Sequence, residues 1–188
     1  SVFANCVDPQ IADATMNGTM VVTALSVSDL RVQMSQLSFD TARHAMTVNG
    51  AVRLSMLSAD TLQTTTEGAV TVGVALNHLA PPFTDTVTLQ SGFVATETSA
   101  NGETISRFDG LLESARAGGM VRLTTPSNAQ IRQFDTSDYP YTGVLQVQGR
   151  NSSLQMTVLS ADQMQLDLDT DGNGTFDSTS TVPWDWLL

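Results

Sequence analysis

The chain has 188 residues, 41% of them hydrophobic, enough to bury a core and to exclude a disordered tail. Nineteen acidic residues face eight arginines and no lysine, and the resulting charge of -11 argues against nucleic acid and anionic membrane surfaces as partners. The absence of lysine excludes Schiff-base chemistry, and a single cysteine, Cys6, excludes an internal disulfide framework.

Residues 1–17 are polar, contain Pro9 and show little periodicity, so they read as a flexible lead into one β domain over 18–188. Cys6 lies close to the start of the sequence, where an acyl anchor on the thiol is one reading and a free thiol the other. Val2-Phe3-Ala4-Asn5 lacks the small residues expected before a processed lipoprotein cysteine, which favours the free thiol. No apolar run approaches the ~20 residues of a transmembrane helix, and no charged-then-apolar signal segment is evident.

Further along, the dominant pattern is strict alternation. Leu30, Val32 and Met34 share one parity, and Leu37 and Phe39 the other, so one buried face requires an extra residue near Ser35-Gln36, absorbed as a bulge. Met46, Val48, Gly50, Val52, Leu54 and Met56 predict a long strand in which Asn49-Gly50 is a kink and not a hairpin. Val70, Val72, Val74 and Leu76 repeat the pattern, as do Leu154, Met156 and Val158, and then Met164, Leu166 and Leu168. Turns are predicted at Asn101-Gly102, Gly118-Gly119, Gly149-Arg150-Asn151 and Asp171 to Gly174. Only Leu111 to Ala117 has helix-forming composition, and its flanking glycines argue against a helix. Glu97, Glu103, Asp109 and Glu113 read as a solvated acidic edge that resists sheet-to-sheet aggregation.

Three fragments recur in order: Phe39-Asp40-Thr41 as Phe134-Asp135-Thr136, Val48-Asn49-Gly50 as Val147-Gln148-Gly149, and Leu57-Ser58-Ala59-Asp60 as Leu159-Ser160-Ala161-Asp162. They suggest an internal duplication covering about 18–80 and 118–188, with Pro81-Pro82 near the join. The expected fold is therefore all-β, an antiparallel meander of two related halves sharing one core as a curved sheet, half-barrel or sandwich.

The sharpest chemical signal is Asp169 to Asp177, which fits D-x-D-x-N-G-x-x-D. Ca²⁺ is a hard cation that takes six to eight oxygens, and Asp169, Asp171, Asn173 and Asp177 offer side-chain oxygens at alternating positions of a tight loop. Thr175 would add its backbone carbonyl. The loop departs from an EF-hand because position 12 is Ser180 instead of a bidentate Glu, and because strands flank it. A structural Ca²⁺ is one reading of this loop, and a polar hairpin tip whose Asp-Gly and Asn-Gly pairs merely make the turn is the other.

Tyr139-Pro140-Tyr141-Thr142-Gly143, Val147-Gln148-Gly149, the aspartate-glycine loop and the terminal Trp184-Asp185-Trp186 together resemble the C-terminal region of uncharacterised secreted or lipid-anchored bacterial envelope β-proteins. The resemblance covers about the last seventy residues. It implies a periplasmic, outer-membrane-anchored or extracellular location and an antiparallel sheet, and it brings no catalytic residue. Trp184 and Trp186 share one face of a strand, where core packing is the expectation and a platform for a sugar ring the alternative.

No enzyme motif stands out. His44 and His78 are far apart and off any metal-ligand spacing, Cys6 has no activating neighbour, and no nucleophile elbow or phosphate loop occurs. Paired carboxylates for hydrolysis would be visible only in the fold. Two non-enzymatic readings follow. In the first, an apolar face formed by Met46, Val48, Val52, Leu54, Met56, Val72, Val74, Met156 and Met164 holds a hydrophobic ligand such as a lipid, since methionine adapts to irregular guests. In the second, a calcium-stiffened structural or adhesive module presents its Thr-rich face and aspartate tip to an envelope protein or a glycan.

Overall fold

The computed structural model describes residues 1–7, 14–77 and 81–184. The fold is all-β, as the alternation predicts: among the described residues fifteen strands join in one antiparallel hydrogen-bonded sheet, and none of those residues is α-helical. The first seven strands are β1 (Val2–Val7), β2 (Thr15–Ala24), β3 (Asp29–Asp40), β4 (His44–Ser58), β5 (Thr61–Thr66), β6 (Val70–Leu76) and β7 (Phe83–Leu89). They are followed by β8 (Val94–Ala100), β9 (Glu103–Ser114), β10 (Gly119–Thr124), β11 (Ile131–Phe134) and β12 (Gly143–Gln148). The last three are β13 (Ser153–Val158), β14 (Gln163–Asp169) and β15 (Ser178–Pro183). Leu111 to Ala117 completes β9 and turns toward β10. No helix among the described residues is long and apolar enough to cross a membrane.

Two compact units divide the chain: the first takes residues 1–55, 64–93 and 112–119, the second 56–63, 94–111 and 120–188. In the first unit the bulge predicted at Ser35-Gln36 is present. Met34 pairs with Gly50 and Leu37 with Val48, so β3 carries one residue more than β4 between these pairs. That residue keeps Leu30, Val32, Met34, Leu37 and Phe39 on the face shared with Leu54, Val52, Gly50, Val48 and Met46. Gln36 adopts φ +49°, and its N–H donates to Asn49 Oδ1 at 2.6 Å. Register also shifts opposite Gly18 and between Phe3 and Cys6, so one line of irregularity crosses β1 to β4. Gly18 (φ +111°) and Gly50 (φ +133°) lie on this line in backbone conformations that a side chain resists. A Cβ on Gly18 would meet the Gln36 carbonyl, and one on Gly50 would lie 2.9 Å from the Ala69 carbonyl and Val70 Cα. Asn49-Gly50 is accordingly a kink within β4.

Of the stretch 1–17 read as a flexible lead, residues 2–7 form β1, whose Val2 and Phe3 pair with Thr19 and Gly18, and residues 8–13 lie outside the described residues. The remaining apolar rows of this unit run across β4, β6 and β7: Val48 opposes Val72, which opposes Val87. Leu37, Ala51, Val70 and Phe93 are buried there. Thr66 is buried as well, with its hydroxyl satisfied by donating to the Gln90 carbonyl and accepting from Phe93 N–H.

The second unit has its core on the apolar face of β13 to β15. Val158, Met164 and Val182 form one cross-strand row. Met164 has no exposed surface, and Val158 and Trp184 complete the cluster with Tyr139, Met156 and Leu166 packed around it. Trp184 stacks on Tyr139 at 5.8 Å between ring centroids, so it is a core residue. Trp186 lies outside the described residues, as does His78. Burial of each large side chain of this cluster contributes about 1.5–3 kcal/mol.

The recurrent Leu-Ser fragments fall at hairpin turns. Asp60 N–H donates to Ser58 Oγ at 3.3 Å, and Asp162 N–H to Ser160 Oγ at 3.1 Å. The β2–β3 turn uses the same device, Ser28 N–H to Ser26 Oγ at 3.2 Å. The hydroxyl takes the place of a backbone carbonyl in a tight turn.

Candidate functional site

The aspartate loop closes the hairpin between β14 and β15. Leu168 pairs with Ser178, and Asp177 N–H donates to the Leu168 carbonyl at 2.8 Å, so Asp169 and Asp177 leave the ladder side by side. Alternation on β14 sends Met164, Leu166 and Leu168 to one face and Gln165, Asp167 and Asp169 to the other. Gly172 turns against the β12–β13 hairpin: a Cβ on it would lie 3.0–3.1 Å from the backbone of Asn151.

Loop amides converge on Asp169. Gly172 N–H donates to Oδ1 at 2.7 Å and Gly174 N–H to Oδ2 at 2.9 Å, which compensates a carboxylate only 2% exposed. Burial pushes its pKa up, but the amides of Gly174, Gly172 and Asp171 outweigh that effect and leave it below the ordinary carboxylate value. At Asp177 the hydroxyl and N–H of Thr170 both donate to Oδ2, at 2.5 and 2.7 Å. Those bonds hold its pKa down against partial burial and the charge of Asp169. Both groups are therefore ionised at neutral pH. Asp171 is exposed and accepts from the N–H and side-chain amide of Asn173 at 3.1 and 3.0 Å.

The three carboxylates each offer an oxygen, all within 4.8 Å of one another. Such an acidic group could hold a metal ion. Of the five residues expected to form the site, the structure brings Asp169, Asp171 and Asp177 together. Asn173 and Thr175 occupy the same loop, with Asn173 Oδ1 accepting from Thr175 N–H at 2.7 Å. Thr170 escapes the ligand pattern because its role is to anchor Asp177. Asp167 also falls outside it: this buried residue accepts from Gln165 Nε2 at 2.8 Å and Thr179 Oγ1 at 2.6 Å, on a polar row one step from the loop.

The apolar set divides between the two units. Met46, Val48, Val52, Leu54, Val72 and Val74 belong to the first unit, where Met46 opposes Val74 and Val48 opposes Val72. Met56, Met156 and Met164 belong to the second, in which Met164 is sealed in the core. Cys6 is a free, exposed thiol, and His44 lies at the start of β4. No protein-family model, curated protein or solved structure matches this chain.

Proposed function

We propose that the protein is a non-enzymatic module of the bacterial envelope, stiffened by Ca²⁺ at the β14–β15 hairpin, that binds a protein or glycan partner. The convergence of three carboxylates within 4.8 Å carries the metal part of this reading. Asp169, Asp171 and Asp177 would ligate the ion, and the β14–β15 ladder would transmit the restraint to the core beside it. The resemblance of the last seventy residues supports the envelope setting.

Native mass spectrometry of protein purified without chelator tests the metal. One calcium-sized adduct is expected, lost with EDTA and lost in Asp171→Asn, which removes an exposed ligand without disturbing the core. A saturating ion at about 100 times its Kd stabilises by about 2.7 kcal/mol, so thermal unfolding should shift upward with Ca²⁺ in the wild type and not in the variant. Identical spectra and melting curves with and without Ca²⁺ would reduce the loop to a turn.

A second reading, a hydrophobic ligand on the apolar sheet face of the first unit, is favoured by the exposure of Phe39 (39%), Met46 (38%) and Val22 (53%). A lipid-sized adduct in the same spectra, displaced by Met46→Glu, is its expected signature. Organic extracts of the protein free of lipid would overturn it.

A further inference from the structure

Within the second unit, β8, β9 and the segment after β10 enclose a groove of about 510 Å³, within the ~300–1,000 Å³ range of small-molecule clefts. Register builds its walls. Thr96 lies directly opposite Arg107 and Val94 opposite Asp109, so these four side chains share one face of the β8–β9 pair. The segment from Thr124 to Ser127 is held over them by two bonds: Thr125 N–H donates to the Phe108 carbonyl at 2.8 Å, and Phe108 N–H donates to Thr125 Oγ1 at 3.0 Å.

The polar groups of this groove are left available. The Arg107 guanidinium makes no hydrogen bond or ion pair among the described residues, and neither do the hydroxyls of Thr96, Thr124 and Ser127. Elsewhere in the chain arginines are engaged: Arg31 with Glu67, Arg53 with Asp29, Arg122 with Asp109, Arg132 with Glu103, and Arg116 with the Thr84 carbonyl and the Phe83 ring. Only Arg150, on the β12–β13 turn, is similarly unengaged among the described residues. In a chain of charge -11 with nineteen acids, a guanidinium left without a carboxylate inside a concavity is one available to an external anion.

We infer that this groove is a binding site for a carboxylated saccharide, with Arg107 pairing the carboxylate and Thr96, Thr124 and Ser127 meeting the ring hydroxyls. Asp109, fixed by Arg122 Nη2 at 2.7 Å, accepts from a further hydroxyl. Val94 and Pro126 offer apolar surface to the C–H face of the sugar. A saccharide is a better fit than a peptide because the β8 and β9 backbones are already paired with each other, leaving side-chain hydroxyls as the free hydrogen-bonding groups. The overall charge repels anions at long range, so recognition depends on the short-range guanidinium contact. The inference names the partner within the proposed binding module, and it is tested in EDTA, so failure at the calcium loop and failure at the groove remain distinguishable.

The experiment is an amide-resolved NMR titration with methyl glucuronide, methyl glucoside and N-acetyl-glycylglycine, a peptide carboxylate without hydroxyls. Shifts at Thr96, Arg107, Thr124 and Ser127 are expected with the glucuronide and not with the other two. Arg107→Gln should raise the Kd at least tenfold while leaving the remaining spectrum intact, since the Arg107 guanidinium bonds to no described group of the protein; Arg150→Gln should leave the Kd unchanged. No shifts in the groove, an equal response to the glucoside, an equal response to the peptide, or an Arg107→Gln protein that binds normally would each overturn the proposal.

Discussion

Asp29 shows how single carboxylates couple this fold to pH. Hydrogen bonds from Ser55, Ser26 and Arg53 lower its pKa from 3.8 to about 2, and Asp169 and Asp177 are shifted in the same direction. A carboxylate whose folded pKa is depressed contributes stability that is fully present above its unfolded value and is lost as pH falls through the folded one. Metal-free protein should therefore hold a constant urea midpoint down to about pH 4, near the unfolded carboxylate pKa, and lose stability steadily toward pH 2. Asp29→Asn should lower the midpoint at pH 7 and flatten this acid limb; an unchanged limb would detach Asp29 from acid unfolding. Packing sets the other residue-scale effect. Met164→Ala leaves a cavity among Val158, Trp184 and Val182, and should cost about 2–5 kcal/mol in equilibrium unfolding. A loss below about 1 kcal/mol would mean that the cluster collapses onto the space.

At the scale of elements, the bend line through β1 to β4 depends on backbone conformation more than on side-chain contacts. Gly18→Ala places a residue at φ +111° with its Cβ against the Gln36 carbonyl. The conformation alone costs about 1–3 kcal/mol, and a urea midpoint equal to wild type would show that β2 slips its register to escape. Asn49→Ala removes the acceptor for Gln36 N–H, an exposed bond that water can replace, and should cost about 0.5–1.5 kcal/mol. This line was legible in the sequence because parity is a local property: Leu30, Val32 and Met34 cannot share a face with Leu37 and Phe39 unless one residue is looped out. The aspartate loop was legible for the same reason, its carboxylates being spaced along nine consecutive residues. β1 was not, since its own register shift between Phe3 and Cys6 interrupts the alternation that would announce it. Nor was the Arg107 groove, which depends on which residue of β8 faces Arg107 and on where Thr125 is anchored. Those are facts of pairing between segments that the chain's local pattern does not encode.

The scale of the whole molecule is governed by where the two compact units exchange chain. Their boundaries at Ser55–Met56 and Leu111–Leu112 fall inside β4 and β9, not in linkers. The first unit requires residues 112–119: Ser114 pairs with Val87 and its hydroxyl donates to Asp85 at 2.5 Å. The second requires residues 56–63: Thr61 bonds Thr98 through their hydroxyls, and Ser99 N–H donates to the Asp60 carbonyl at 2.8 Å. A cut at Phe93–Val94, which separates most of the first unit from most of the second, would deprive each fragment of a segment that completes it and leave a sheet edge unpaired. Fragments 1–93 and 94–188, expressed separately, should therefore show poor amide dispersion and no cooperative thermal transition. Mixing the two should restore part of the native spectrum, slowly, because the pairings that complete each unit are distant in sequence and such contacts form late in folding. A well-dispersed, cooperatively melting 94–188 fragment would show instead that β8 to β15 suffice for their own core, and that residues 56–63 are an accessory edge.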